Sequence, residues 1–318
     1  MNITTFRNHS WHGDLFKDTP SRIAIMVMHS VLTIMGIAFN IFICVSHYLM
    51  KTPLKKFNIC FVNLCVTNIV MLTGLLPMLA IDMHKNPELS ATFLTDIFCG
   101  FSQGQCFSFV GIFSGIHTLS VMSISRYLAV KKPFRLGLTK KKMLKLLCFD
   151  WIVCVILHFP NAILWRHHDG FCYRYWKWGT TFKVVYVFTL YVVGLVVPII
   201  TMLVAFVLTV WEFFHGEITS IQTAKLRYRK RIVVLTGTLI ILWIVSHIPY
   251  AVYWLLSVVG HFPFTYHGEI KRQRWKWFAY FPAIVNAILE PILFGAFSSE
   301  FKKSIRVSFT LRNSQMRT

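Results

Sequence analysis

Ser125-Arg126-Tyr127-Leu128-Ala129-Val130, followed by Lys131-Lys132-Pro133-Phe134, closes an apolar run from Phe107 to Ile124 on a fixed charge. Arginine stays protonated in proteins and is costly to leave at membrane depth. Arg126 therefore stands where an apolar helix emerges into water. Two readings fit the stretch itself. One is an anchor whose guanidinium snorkels to the interface; the other is a switch residue facing the interior of a helix bundle. The rest of the chain decides between them.

Only 14% of the 318 residues are charged, while 55% are hydrophobic and the mean hydropathy is +0.57. A soluble domain carries roughly 25% charged residues. Seven apolar stretches, at about 22–49, 57–81, 98–129, 143–165, 182–213, 231–259 and 275–297, are each long enough to cross a bilayer as a helix. They lack the period-two alternation of a membrane barrel. The expected fold class is an all-α membrane protein, a seven-transmembrane helix bundle. No internal repeat, low-complexity segment or second soluble domain is visible. Residues 1–20 are polar and precede a run long enough to be a span, so no cleavable signal peptide is expected.

Charge sets the orientation. With the N-terminus outside, 21 of the 33 Lys and Arg fall on the cytoplasmic side, while Asp14, Asp18, Asp82, Glu88, Asp96, Asp169 and Glu269 fall outside. The net charge of +21 is then a topology signal with attraction to anionic lipid. The bases are spread over short loops between spans, which argues against a nucleic-acid partner. Asn2 and Asn8 begin glycosylation tripeptides in the N-terminal tail, usable on the lumenal side.

Along the chain, span 1 contains Gly36-Ile37-Ala38-Phe39-Asn40 and span 2 Asn63-Leu64-Cys65-Val66-Thr67-Asn68, then Pro77. A lone Asn in lipid leaves its amide unpaired, so Asn40 should face other helices. Span 3 opens near Cys99 and ends on Ser125-Arg126-Tyr127; Gln105, Ser108, Phe109 and Ile112 have the spacing of one helix face. Span 4 carries Trp151 and Pro160, span 5 Pro198, span 6 Ser246-His247-Ile248-Pro249-Tyr250, and span 7 Asn286-Ala287-Ile288-Leu289-Glu290-Pro291. The stretch Phe297–Arg306 has the pattern of a short amphipathic helix on the inner leaflet.

Taken together, these pieces resemble a rhodopsin-like (class A) G-protein-coupled receptor, of a non-opsin and non-aminergic kind, over nearly the whole chain. The resemblance implies an extracellular tail (1–21), a seven-span receptor domain (22–297) and a cytoplasmic amphipathic helix with tail (298–318). It implies a plasma-membrane protein, not an enzyme and without cofactor, with an extracellular ligand, a heterotrimeric G protein and membrane lipid as partners. A non-coupling scavenger or decoy and a transporter are the alternatives; few midplane polar groups beyond Glu290, Asp150 and the asparagines suit transport. The resemblance also makes Arg126 a switch residue rather than an anchor.

The chain departs from the family at several places. Ser125 stands where the family carries an aspartate, and Arg229 where an acid faces span 3 from the foot of span 6. Arg126 thus loses two carboxylate partners, which implies either raised basal signalling or no coupling. Phe206 and Phe294 replace two activation tyrosines, and His247 the span 6 tryptophan. Asn68 and Glu290 exchange an aspartate–asparagine pair across spans 2 and 7. One buried carboxylate, hydrogen-bonded by Asn40, Asn68 and Asn286, is then expected. It holds a sodium ion or serves protonated as interhelical glue.

Of eight cysteines, Cys99 and Cys172 fall on the outer side, and the resemblance implies that they pair. Cys99 lies 27 positions before Arg126, about two more than the family has, so the helix start or loop must absorb the difference. The implied ligand pocket lies between spans 3, 5, 6 and 7, with Gln105, Ser108, Phe109, Ile112, His247, Tyr250, Tyr253, Trp254, Trp277, Phe278 and Phe281 as candidates. Aromatic walls with few polar groups suit a small or peptide ligand. Ser108 at the amine-binding position and Ile284 at the retinal-lysine position exclude those two ligand classes. Arg166, Arg174, Lys177, Lys183, Lys271, Arg272, Arg274 and Lys276 make the mouth basic. That suits a carboxylate-bearing ligand, or lipid headgroups for part of the set. His167-His168-Asp169 matches no standard zinc spacing.

Overall fold

The computed structural model describes residues 20–49, 56–83, 93–131, 138–168, 171–215, 223–260 and 266–297. Asn2, Asn8, most of the tail 1–21, and the amphipathic segment 298–318 lie outside the described residues, as do Asp169 and the side chains of His168 and Arg229. Seven long apolar helical segments are present, each able to cross a bilayer by length and composition. They are α1 (Pro20–Leu49), α2 (Lys56–Met83), the pair α3 (Phe93–Ser102) and α4 (Cys106–Lys131), and α5 (Lys140–Ile163). The fifth is α6 (Gly179–Tyr191) continued by a π turn (Val192–Val196) into α7 (Val197–His215); α8 (Thr223–Val259) and α9 (Tyr266–Phe297) complete the bundle.

The apolar runs are helical because lipid offers no partner for backbone polar groups, so each segment must satisfy its own. Side chains such as Phe149, Ile156, Val207 and Ile241 are exposed and form the outward face. The core gathers Phe61, Leu64, Leu72, Leu75, Ile116, Leu119 and Phe294. The central element is α4, which packs against α2, α5, α7 and α8.

The third span is not one helix. The Cys99 carbonyl accepts from the N–H groups of both Gln103 and Gly104, at 2.9 and 3.3 Å, which closes α3. Gln105 takes φ +51° and starts α4 by accepting from Phe109 N–H at 3.0 Å. The break absorbs the long spacing between Cys99 and Arg126. It also corrects the placing of Gln105 on a helix face shared with Ser108 and Ile112: Gln105 sits in the break. The segment is pressed against the end of α5. A Cβ at Gly104 would lie 2.5 Å from the Asn161 carbonyl oxygen and 2.9 Å from the Trp165 ring, and one at Gly100 would strike the Ala162 carbonyl.

The π turn in span 5 has a local cause. Pro198 brings no N–H and its ring crowds the carbonyl four residues back. Widening the preceding turn, with Val197 N–H donating to the Val192 carbonyl, accommodates it. Gly194 in this turn lies against the Phe113 ring.

Between α5 and α6 the chain forms an antiparallel hairpin, β1 (Trp165–His168) and β2 (Phe171–Arg174), with His167 opposite Cys172 and Trp165 opposite Arg174. This short sheet adds to the helical architecture. A disulfide joins Cys172 on β2 to Cys99 on α3. Asp96 on α3 accepts from His167 N–H at 2.7 Å and lies 3.5 Å from Arg166. The hairpin is thus held over one end of the bundle.

Candidate functional site

Beneath the hairpin is an apolar cavity walled by Phe109, Ile112 and Phe113 on α4, Leu190, Tyr191 and Leu195 on span 5, and Trp243, His247, Tyr250, Ala251 and Trp254 on α8. It encloses about 30 Å³, room for a water or two rather than a larger guest. Five sequence candidates line it: Phe109, Ile112, His247, Tyr250 and Trp254. The rest are elsewhere. Ser108 turns to α2 and donates to the Met71 carbonyl at 3.1 Å. Gln105 accepts from the Tyr280 hydroxyl and packs its amide on Met78 sulfur. Tyr253 is buried beside Tyr280, with ring centroids 6.4 Å apart.

Trp277, Phe278 and Phe281 do not line the cavity. Trp277 packs edge-on against His29 of α1 at 4.9 Å and Phe281 does so at 5.9 Å, while Phe278 is 66% exposed. The reason is helix phase. In α9 the inward positions are Tyr280, Ala283, Ile284 and Ala287, so 278 and 281 fall on the outer side. The sequence reading placed span 5 beside the pocket but named none of its residues. Phe113, four residues after Phe109, could have been found by extending the helix-spaced set.

His247 is a packed, hydrogen-bonded histidine. Its ring stacks on Trp243 at 4.3 Å and 9°, and its Nδ1 lies 3.0 Å from both the Trp243 carbonyl and the Ser246 hydroxyl. Position 247 has lost an indole, but one turn below it Trp243 supplies one against the same cavity.

Above the cavity, Arg174 ends β2. Its guanidinium carbon lies 5.1 Å from the Trp165 ring, 5.6 Å from Trp254 and 5.8 Å from Trp176. Burial lowers it from the ordinary arginine value to about 10, so it remains protonated at neutral pH.

In the middle of the bundle, Glu290 is 1% exposed. Asn68 Nδ2 donates to its Oε2 at 2.8 Å and Asn286 Nδ2 to its Oε1 at 2.9 Å. Asn68 Nδ2 also lies 3.4 Å from Asn40 Oδ1, and Asn40 donates to the Gly36 and Ala287 carbonyls, both at 2.8 Å. The four expected residues are brought together, with one correction: Asn40 makes no direct bond to the carboxylate, because its amide is taken by two backbone carbonyls, and it reaches Glu290 through Asn68. Asn286 Oδ1 is buried without a donor among the described residues, so the cluster has acceptor oxygen in excess, the chemistry a small cation requires.

A second polar cluster joins α4 to α5. Asp150 accepts from His117 Nδ1, and from Ser114 Oγ at 2.6 Å. With Cys154 these ligand atoms lie within 4.8 Å of one another. The carboxylate is already satisfied by protein donors. Asp150, Cys154 and His158 recur every four residues, a signal the sequence offered.

At the end of the bundle away from the hairpin, Arg126 is half-buried. Tyr127 Oη accepts from Lys131 Nζ at 2.7 Å, and Lys131 reaches Glu212 of α7 at 3.6 Å. Phe206 lies across Gly237 of α8. Phe294 is fully buried and stacked on Phe61 at 3.4 Å and 6°. Neither ring carries the hydroxyl that a tyrosine would present.

The sequence profile of the 7 transmembrane receptor (rhodopsin family) matches residues 39–294. The chain is similar to the substance-K receptor of Bos taurus, 23% identical over 326 residues covering 96% of this chain and 78% of the relative. It is similar to tachykinin-like peptides receptor 99D of Drosophila melanogaster, 21% identical over 67% of this chain and 44% of the relative. It is also similar to the GQ-coupled rhodopsin of Mizuhopecten yessoensis, 25% identical over 72% and 48%. The matches thus span less than half of two of these three relatives.

Proposed function

The chain belongs to the rhodopsin family of seven-transmembrane receptors, and from that premise we propose that it converts binding of an extracellular ligand into activation of a heterotrimeric G protein at the plasma membrane. The observation that carries the reading is the arrangement along α4. Phe109 and Ile112 face the outer cavity, and Arg126 stands on the same helix near its inner end. One helix therefore meets both a ligand and a cytoplasmic partner. Relatives named as receptors for peptides, substance K and tachykinin-like peptides among them, support a peptide ligand class.

In this reading residues 1–21 form the extracellular tail, glycosylated at Asn2 and Asn8, 22–297 the receptor domain, and 298–318 a cytoplasmic amphipathic helix and tail. Ser125, Arg126, Tyr127, Arg229, Phe206 and Phe294 are the coupling and switch residues. Asn40, Asn68, Asn286 and Glu290 form a polar pocket, with a sodium ion as its occupant, that biases the two states. The cavity walls must part to admit a ligand, and α8 opens at its cytoplasmic end about Pro249.

The test is a nucleotide-exchange assay on purified G protein with the receptor in nanodiscs. The wild type is expected to accelerate exchange over empty discs, and Arg126→Ala to abolish the acceleration. A folded wild type that accelerates no G-protein class, with or without ligand, would make the chain a non-coupling receptor.

A further inference from the structure

Of the eight basic residues expected at the mouth of the bundle, Lys276 is buried on the Trp277 ring, and Arg174 is the one that leaves a buried N–H without an acceptor among the described residues. Arg174 is folded inward beneath the hairpin, between the rings of Trp165, Trp176 and Trp254. Its Nε is buried and has no acceptor among the described residues, and the indole N–H groups of Trp165 and Trp254 are buried in the same condition. All three are donors. What the place lacks is an acceptor.

No described carboxylate supplies one. Asp96, the acid on the same side of the bundle, is engaged by Arg166 and by His167 N–H. Glu290 is held by Asn68 and Asn286, and Asp150 by His117 and Ser114. Glu212 lies at the inner end beside Lys131. Stacking on indoles offsets part of the cost of burying a cation, but it leaves the N–H groups unmet. Leaving buried donors unmet is costly. A guanidinium presents its donors as a planar fork that matches a carboxylate. Trp254 is at once a wall of the Arg174 enclosure and a wall of the aromatic cavity, so the two places adjoin.

We propose that Arg174 is the anion-recognising residue of the ligand site, and that the ligand carries a carboxylate on an apolar body: the carboxylate docks on the Arg174 fork while the apolar part enters between Phe109, Tyr250 and Trp254. The proposal rests on the receptor reading above for the location of the site. It assigns a chemical class to the ligand and singles out one cation among eight. The Cys99–Cys172 disulfide, two residues from Arg174, fixes the fork relative to α3.

The experiment measures binding, not coupling, so it stands apart from the exchange assay. Full-length receptor in nanodiscs is titrated with two matched probe pairs: 3-phenylpropionate against 3-phenylpropanamide, and a phenylalanine-terminated tripeptide as free acid against its amide. Tryptophan fluorescence and the thermal unfolding midpoint are followed. For at least one pair, wild type is expected to bind the acid about tenfold or more tighter than the amide, the range of hydrogen bonds to a charged group. Which pair shows it separates a small acid from a peptide C-terminus. Arg174→Gln should erase the preference, and Arg174→Lys, which keeps charge but not the fork, should retain part of it. Equal affinities for acid and amide in both pairs overturn the proposal without any variant, even if Arg174→Gln fails to fold. So does a preference that survives in Arg174→Gln. A variant that lowers only the ligand-free midpoint, with no acid preference in wild type, would reduce Arg174 to a staple of the hairpin. A receptor that binds the acid yet never activates a G protein keeps this inference and loses the coupling reading.

Discussion

At the scale of single residues, Glu290 is the most exacting position. Both its oxygens accept amide N–H groups, at 2.8 and 2.9 Å, and the oxygen of Asn286 beside it has no donor among the described residues. Excess acceptor oxygen in a buried place is relieved by a cation or by a proton. Glu290→Gln separates the two, since the new amide brings its own donor to Asn286 Oδ1. The expected outcome is a wild-type unfolding midpoint that rises when sodium chloride replaces choline chloride, and a variant without that dependence. A wild type indifferent to sodium would leave Glu290 as protonated glue between helices. The exchange of acid and amide across spans 2 and 7 gives a second check. Asn68→Ala removes a donor to the carboxyl group and should cost about 1–3 kcal/mol. The reciprocal double change, Asn68→Asp with Glu290→Asn, should recover folded yield above the worse of its single changes. These residues were legible in sequence because a polar side chain in an apolar span has few ways to be satisfied. Asp150 and His117 were equally open to that argument. Their pairing stayed hidden because each lies on a different span and nothing in either span alone names the partner.

At the scale of elements, the bends and breaks carry the information that hydropathy misses. All seven spans are visible as apolar runs, but the helices begin one to nine residues before them, the third is broken in two, and α5 stops at Ile163 rather than at 165. The interruption at Gln103–Gln105, the π turn before Pro198 and the hairpin after α5 have no hydropathy signature. The break and the hairpin arise from tertiary contacts, a disulfide to be reached and glycines against a neighbouring helix, whereas the π turn has a local cause in the proline it accommodates. The prediction at this scale concerns those glycines. Gly104→Ala puts a Cβ 2.5 Å from a backbone oxygen that cannot rotate away, and should destabilise by about 1–3 kcal/mol through overpacking, read as a lower unfolding midpoint and less receptor at the cell surface. Gly115→Ala is the control. Its nearest neighbours would be 3.5 Å away, an ordinary contact, and alanine is the better helix former by about 1 kcal/mol. It should be neutral or stabilising. The candidate pocket shows the same division: α4 and α8 supply walls in the helix phase that spacing indicated, whereas α9 turns Phe278 outward because its buried face is set by α1 and α8, which sequence spacing within α9 does not reveal.

At the scale of the whole molecule, the question is how the outer cavity and the inner end of α4 are coupled, and Arg126 decides it. The resemblance to receptors with an acid beside this arginine makes Ser125 a lost restraint on the inactive arrangement. The structure offers a partial substitute in the Tyr127–Lys131–Glu212 chain, but Lys131 is 44% exposed, and a solvent-exposed ion pair contributes little and weakens with salt. A hydrogen bond to a buried charge is worth about 1.5–3 kcal/mol. On the proposed reading, this pair does not equal a carboxylate beside Arg126, and the resting equilibrium lies nearer the active side, by roughly tenfold, than it would with one. Ser125→Asp should move it back. Basal nucleotide exchange by the ligand-free receptor is expected to fall about tenfold, with the maximal ligand-driven rate retained, because the new contact is broken in the active arrangement. Glu212→Gln should change basal exchange far less, and only at low salt. A baseline that Ser125→Asp leaves unchanged would place the restraint elsewhere. The remaining place is the aromatic packing of Phe206 on Gly237 and of Phe294 on Phe61, where two hydroxyls that would favour the open bundle are missing.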